Sequence, residues 1–311
     1  MRRLDDWALV PAAEMADLYR RDAARWRAEL DWDTADTWDV LERARRGGYV
    51  PGFVARLSTG AVAGWTYYLL HDSELQIGAL AATSPAIAAA LLDAVLASAP
   101  ARVAARTLFF AFTAAPAITE VLAERGFDAR AHHYLARPLA AAPPAGTSFH
   151  AWHDGALAPA SEVLAAAYGG PDRRRAFVPS GTAADWRHYV QQLTTSTGCG
   201  RFQPALTRLA GERSGALDGL ALVTAVSATS AHLAQLAVRP DAAGAGLGAR
   251  LLADVTRAAA DAGYARLSLL VSADNDRARR LYEAAGFTRH ASFVAATRSG
   301  RRSARTGASA A

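Results

Sequence analysis

The stretch Leu91 to Phe127 aligns without a gap on Leu251 to Phe287 at a constant offset of 160 residues. Leu91 matches Leu251, Leu92 matches Leu252, Val95 matches Val255 and Arg106 matches Arg266. Both copies close on Gly-Phe, at Gly126-Phe127 and Gly286-Phe287. Leucine and alanine are common enough here to match by accident, so single identities count for little. A preserved order of elements around the shared ending counts for more, and it predicts an internal duplication. Two copies of one fold also suit a chain of 311 residues, longer than one compact core usually runs.

The run Ala140-Ala-Ala-Pro-Pro-Ala-Gly146 has no periodic apolar pattern, and its paired prolines suit neither a helix interior nor a central strand. It sets a first domain over 1–140, a linker over 141–146 and a second domain over 147–298. A tail over 299–311 follows, whose small and basic residues cannot build a core. In the first half, helical spacing covers Pro11–Leu30 and Thr34–Arg46, the latter stopped by Gly47-Gly48. Strand-like runs at Tyr49–Leu57, Val62–Leu70 and Leu75–Ala82 are joined by short turn-forming segments. Ser84-Pro85 then opens a helix to Ser98, because serine caps free N–H groups and proline is tolerated at the first helical position. A strand over Arg106–Phe112 and a helix over Ile118–Arg125 complete this half. The second half repeats the order. A strand near Phe149–Trp152, helices near Pro159–Tyr168 and Ala183–Thr194, and strands around Ala205–Leu209, Leu220–Ser227 and His232–Val238 precede another helix, strand and helix.

Composition narrows the function classes. About half the residues are apolar and a fifth are charged, as in an ordinary globular protein, and no apolar run is long enough to span a bilayer. Neither a membrane span nor an apolar signal core is expected, which points to the cytoplasm. The lone cysteine, Cys199, excludes an intramolecular disulfide framework and a multi-thiolate metal site, and it reads as passive packing rather than as a nucleophile. His132-His133 would point to opposite faces of a strand, so no metal is expected. The net charge of +5 comes from scattered arginines with no nucleic-acid module, and an anionic small ligand accounts for it equally well. Trp26, Trp32 and Trp38 fall near predicted helices and read as packing residues. The cluster Asp172-Arg173-Arg174-Arg175 reads as a solvated loop, or as a lure for an acidic acceptor group.

After the strand ending at Val238 comes Arg239-Pro-Asp-Ala-Ala-Gly244-Ala-Gly246-Leu-Gly248, running straight into a helix over Ala249–Ala262. Glycines without side chains let successive backbone N–H groups approach phosphate oxygens, and a helix N-terminus adds positive potential behind them. Such spacing alone also fits a dinucleotide-binding unit. The downstream context decides: a strand over Leu267–Val271 leads to Asn275, Ala278, Leu281-Tyr282 and Gly286-Phe287.

Together the two blocks, Val238-Arg-Pro240 with the glycine loop and Asn275 through Phe287, resemble the acetyl-CoA site of the GCN5-related N-acetyltransferase (GNAT) family. The resemblance is strong over Ala231 to Phe287. It implies an α/β (α+β) chain of two tandem GNAT folds, each a mixed, mostly antiparallel sheet flanked by helices, with the fourth and fifth strands splayed around pantetheine. It also implies that the backbone of Ala243, Gly244, Ala245, Gly246, Leu247, Gly248 and Ala249 holds the pyrophosphate of acetyl-CoA. Main-chain groups of Ala237 and Val238 would bond the pantetheine amides, and Asn275 and Ala278 would lie against the coenzyme. Asn275 equally suits a helix cap. Tyr282 resembles the family's general acid. The chain departs from the pattern at Ala243, where the family usually carries glutamine or arginine.

The implied reaction is acetyl transfer from acetyl-CoA to a primary amine, on a small molecule or a protein, by direct attack and without a metal. The alternative is a non-catalytic acyl-CoA-binding sensor or scaffold. No carboxylate lies on the strand Ala231–Val238, where only His232 is titratable and Gln235 could position water, so no base is assigned. The first half keeps Gly126-Phe127 but has Ala115 and Leu122 at the positions of Asn275 and Tyr282, and no glycine loop before Pro85. It is expected to be a degenerate, non-catalytic copy.

Overall fold

The computed structural model describes residues 3–35, 37–71, 73–109, 117–139, 149–169, 178, 181–212 and 215–300. Ala115, the cluster Asp172–Arg175, the linker over 141–146 and most of the tail lie outside them. In chain order the elements are β1 (Arg3–Asp6), α1 (Ala12–Leu30), α2 (Thr37–Arg46), β2 (Gly52–Arg56), β3 (Val62–His71), β4 (Glu74–Ala82), α3 (Pro85–Ala97), α4 (Ala99–Val103), β5 (Arg106–Phe109), α5 (Ile118–Ala123) and β6 (Asp128–Pro138). The second run is α6 (Leu157–Tyr168), α7 (Ala183–Thr195), β7 (Arg201–Phe202), β8 (Arg208–Gly211), β9 (Leu217–Ala225), β10 (Ser230–Val238), α8 (Leu247–Asp261), β11 (Arg266–Ser272), α9 (Asp276–Ala284) and β12 (Thr288–Ser299). Three expectations shift. The strand near Phe149–Trp152 is reduced to one bridge, His150 to Leu209, because Trp152 turns away to bond Pro204. The strand around Ala205–Leu209 starts only at Arg208, because a turn carries Leu206 and Thr207 back onto the Gln203 carbonyl. The chain also ends in a long strand, β12, that local pattern did not announce.

The contacts divide the chain into two compact units that are not continuous in sequence. The first draws on the described residues of Met1–Asp17, Asp39–Arg130 and Phe293–Ala311, and the second on Leu18–Trp38 and Ala131–Ser292. These lines differ from a single cut at the linker. In the first unit the strand order is β1-β2-β3-β4-β5, with Ala296–Ser299 of β12 antiparallel to β5. Leu75, Ile77, Leu80, Leu91, Leu92, Phe109 and Leu122 fill the core between this sheet and α3 and α5. In the second unit β6, β11, β10 and β9 lie side by side, and both β7 and β8 pair with β9. One core packs α8 and α9 on this sheet through Leu251, Leu252, Val255, Leu269 and Phe287. Another packs α6 and α7 on it through Leu164, Trp186, Val190 and Leu222.

The two units repeat each other in register. The parallel pair β4–β5 starts at Glu74 and Arg106, and the parallel pair β10–β11 starts at Ser230 and Arg266. The first members are 156 residues apart and the second 160, so the later copy has gained four residues between strand and helix. Both β4 and β10 carry a bulge at the same place. Gly78 is the extra residue opposite Tyr67 and Tyr68, and Ala234 the extra one opposite Val223 and Leu222. A side chain on Gly78 would come within 2.2 Å of the Tyr67 ring, so glycine is required there.

One buried ion pair anchors the first unit. Arg45, 2 % exposed, pairs with Glu42 at 2.6 Å, and its guanidinium also bonds the carbonyls of Trp7 and Val10. Arg45→Met removes the buried partner of Glu42, which keeps only Arg46 at 3.7 Å, and takes the guanidinium from both carbonyls, so urea unfolding should show about 3 kcal/mol of lost stability. A loss under about 1 kcal/mol would mean that water replaces the guanidinium.

Candidate active site

β10 and β11 pair only from Ser230 to Leu233 and from Arg266 to Leu269. Beyond the bulge at Ala234 the strands separate, and Ala237 and Val238 keep backbone bonds to β9 while their other edge has no strand partner. This separation follows from the bulge, which bends the strand that carries it. The loop after Val238 then turns into α8 at the top of the opening.

Two of its glycines adopt backbone angles that L residues avoid, Gly244 at φ +96° and Gly246 at φ +74°, and a Cβ on either would meet open space or only the Arg250 guanidinium at 3.9 Å. Gly248 sits in the first turn, where a Cβ would touch Val238 and Leu281 at ordinary contact distance. Gly246 is the N-cap and supplies no capping side chain. The first closed bond of the helix runs from the Arg250 N–H to the Gly246 carbonyl. Among the described residues no group accepts from the N–H of Gly244, Ala245, Gly246, Leu247, Gly248 or Ala249. Six unpaired donors converge at the positive end of a fifteen-residue helix, an arrangement suited to a phosphate-bearing anion. The first unit offers no counterpart. Its strand β4 reaches α3 through Thr83 and Ser84 alone, the Ser84 hydroxyl accepts from Ile87 N–H at 3.3 Å, and Pro85 has no N–H to offer.

On α9, Asn275 caps the helix by accepting from Ala278 N–H at 3.2 Å, which commits its Oδ1. Tyr282 is 7 % exposed and meets Phe287 edge-on at 5.9 Å. Among the described residues its hydroxyl has no hydrogen-bond partner. Burial, with a smaller contribution from Tyr168, raises its pKa above the ordinary phenol value, so it stays protonated at neutral pH. The matching residue in the first unit, Leu122, is fully buried in the core.

Sequence reasoning offered Gln235 as a residue that could position water but missed the two tyrosines that hold it. Gln235, just past the bulge, accepts from the Tyr168 hydroxyl at 3.2 Å and donates to the Tyr189 hydroxyl at 2.6 Å, so its amide is held from both sides. Trp186 stacks on Tyr168 at 5.3 Å. The signal for this cluster was that Tyr168 follows Leu164 by four residues and Tyr189 follows Trp186 by three, spacings that put both tyrosines on the buried face of their helices.

His232 turns away from base chemistry. Its Nδ1 donates to Ser268 Oγ at 2.9 Å, its ring stacks on Tyr134 and lies 5.1 Å from Trp32, and burial pushes its pKa down to about 3. Between pH 6.5 and about 3 the unfolded chain binds a proton that native His232 refuses, so its share of stability falls as pH drops through that window. His232→Gln should flatten the decline in melting temperature between pH 6.5 and 4. Equal slopes in both proteins would contradict this assignment.

His132 and His133 take separate partners, Ser272 Oγ at 3.0 Å and Ser292 Oγ at 3.2 Å. Among the described residues no three histidines, cysteines or carboxylates gather where a metal ion could be held, and no helix is long and apolar enough to cross a membrane. Cys199 is exposed, with its thiol pKa raised by the protein around it rather than lowered toward a reactive thiolate.

Comparison with known proteins agrees with this geometry. Residues 172–287 match the Acetyltransferase (GNAT) family. A GCN5-related N-acetyltransferase from Sphaerobacter thermophilus superposes with a TM-score of 0.64 at 19% identity, covering 96% of this chain and 95% of the other. A tandem GNAT protein from the clavulanic acid biosynthesis pathway gives 0.60 at 18% identity, covering 96% and 98%. A GNAT-family acetyltransferase from Colwellia psychrerythraea gives 0.53 at 14% identity, covering 96% and 99%. At such identities the likeness is one of fold. No curated protein sequence matches the chain. With the glycine loop, the splayed strands and the repeated unit in place, residues 172–287 carry the match to the GNAT acetyltransferase family, and the chain as a whole has the tandem GNAT fold.

Proposed function

We propose that the second unit is an N-acetyltransferase moving the acetyl group of acetyl-CoA onto a primary amine, of a small molecule or a protein, by direct attack in the cytoplasm. The row of N–H groups from Gly244 to Ala249 carries this reading, because no group among the described residues accepts from it and an anion of diphosphate size would. The residues present fit the coenzyme: the loop is open where side chains would block it, and the strand edge below it is free. Acetyl-CoA supplies the activated thioester and the diphosphate anchor.

The backbone N–H groups of Gly244 to Ala249 bind the pyrophosphate oxygens, and Ala243, whose N–H goes to the Pro240 carbonyl, leads the chain into that row. Ala237 and Val238 offer main-chain groups to the pantetheine amides as an added strand does. Asn275 turns its remaining amide hydrogens to the coenzyme, and the small side chain of Ala278 leaves room beside it. Tyr282 holds its proton at neutral pH and gives it to the departing thiolate sulfur. The first unit, with Leu122 and Ser84 where the second has Tyr282 and an open cap, is a non-catalytic copy.

Calorimetric titration of the whole chain with acetyl-CoA and CoA, followed by a panel of primary amines with release of free thiol as readout, tests the reading. One coenzyme bound per chain with thiol release on some amine supports it. Binding with no release on any amine leaves an acyl-CoA-binding protein, and no binding removes the coenzyme site.

A further inference from the structure

Arg250 stands in the first turn of α8, where the helix dipole disfavours a cation, and that turn contains no acidic residue to offset it. The usual remedy on a helix is a carboxylate four residues on. Asp254 occupies that position but is 4 % exposed and already taken, by Arg208 at 3.1 Å and Arg257 at 2.7 Å. Arg250 instead leans toward the helix N-terminus, as helical side chains do, and donates through Nη1 to the Ala245 carbonyl at 2.8 Å. Among the described residues this is its only partner, so Nε and Nη2 remain free on an exposed guanidinium. Its charge therefore lies uncompensated on the rim of the loop whose N–H groups also lack acceptors. The loop from Ala243 to Ala249 carries no charged side chain of its own.

We infer that Arg250 is a diphosphate-binding residue of the coenzyme site, supplying from the helix the cationic contact that Ala243 does not. This rests on the acetyl-CoA reading above. Bound diphosphate would pair the guanidinium, satisfy the N–H row and remove the conflict with the dipole together, while the bond to Ala245 holds the fork in place beforehand.

The test is calorimetric titration of the full chain, of Arg250→Gln and of the double variant Arg250→Gln/Ala243→Arg, each with CoA, 3′-dephospho-CoA and inorganic pyrophosphate. Arg250→Gln should weaken all three ligands by about tenfold, the scale of one charge-assisted hydrogen bond to phosphate, and Ala243→Arg should restore most of the loss. Unchanged CoA affinity in Arg250→Gln overturns the inference. So does a loss seen with CoA but not with 3′-dephospho-CoA, which would put the guanidinium on the 3′-phosphate. If the wild-type chain binds no CoA, the acetyltransferase reading fails and takes this inference with it. If the wild type binds and Arg250→Gln binds equally, only this inference fails.

Discussion

Tyr282→Phe should lower thiol release in the amine assay by at least 100-fold while leaving the affinity for acetyl-CoA within about twofold of wild type. The magnitude is that of a positioned general acid, whose proton transfer typically contributes 10² to 10⁴ in rate, taken at its lower end. The split between turnover and binding follows from where the hydroxyl sits. Among the described residues it has no hydrogen-bond partner, so its removal breaks no bond there, and the ring keeps its contact with Phe287. A tyrosine that merely packed against the sheet would tolerate phenylalanine at no cost to turnover. Turnover within threefold of wild type would thus strip Tyr282 of its role.

The second large effect is on binding. Gly246→Trp should abolish measurable acetyl-CoA binding, because the indole would occupy the space over the N–H row, where a Cβ meets nothing closer than the Arg250 guanidinium at 3.9 Å. The substitution also forces a left-handed backbone angle on a residue with a side chain, costing about 1 to 2 kcal/mol. Gly263→Ala separates the two effects. Gly263 has φ +85° just past the far end of α8 with nothing near its Cβ, so its variant has the same kind of strain without touching the loop. Gly263→Ala should melt somewhat earlier yet bind the coenzyme normally. If both variants lost binding alike, strain and not occlusion would be the cause.

What the chain disclosed in one dimension was mostly what is local. Ser84-Pro85 announced a capped helix, while Gly126 and Gly286, read in the sequence only as the shared close of the two copies, are left-handed helix endings at φ +76° and +82°. The strand, glycine loop and helix from Ser230 to Asp261 were legible because special backbone angles demand glycine, and glycine is visible in a sequence. Long-range pairing left no such mark. β1 is a short edge strand of mostly charged residues, recognisable only by its partner β2. β12 mixes arginine, serine and alanine without clean alternation, and its pairing with β5 joins residues nearly two hundred positions apart. The end of α1 belongs with the second unit because Asp31 accepts from Ser230 and the Asp33 N–H bonds the Val226 carbonyl, contacts that no local pattern foretells. The pair of tyrosines on Gln235 escaped notice for the same reason, since three unremarkable residues become a group only when α6, α7 and the bulged strand meet.

The discontinuous make-up of the units bears on how the chain comes off the ribosome. The first unit takes its last strand from residues beyond Phe293, so the half made first cannot close its sheet until nearly everything after it has been translated. Through that interval the edge of β5 stays open, a row of unsatisfied backbone groups of the kind that invites pairing with neighbouring chains. A nascent polypeptide arrested before β12 would therefore leave the edge of β5 open for as long as translation is stalled, and chaperone demand during synthesis should last until β12 emerges.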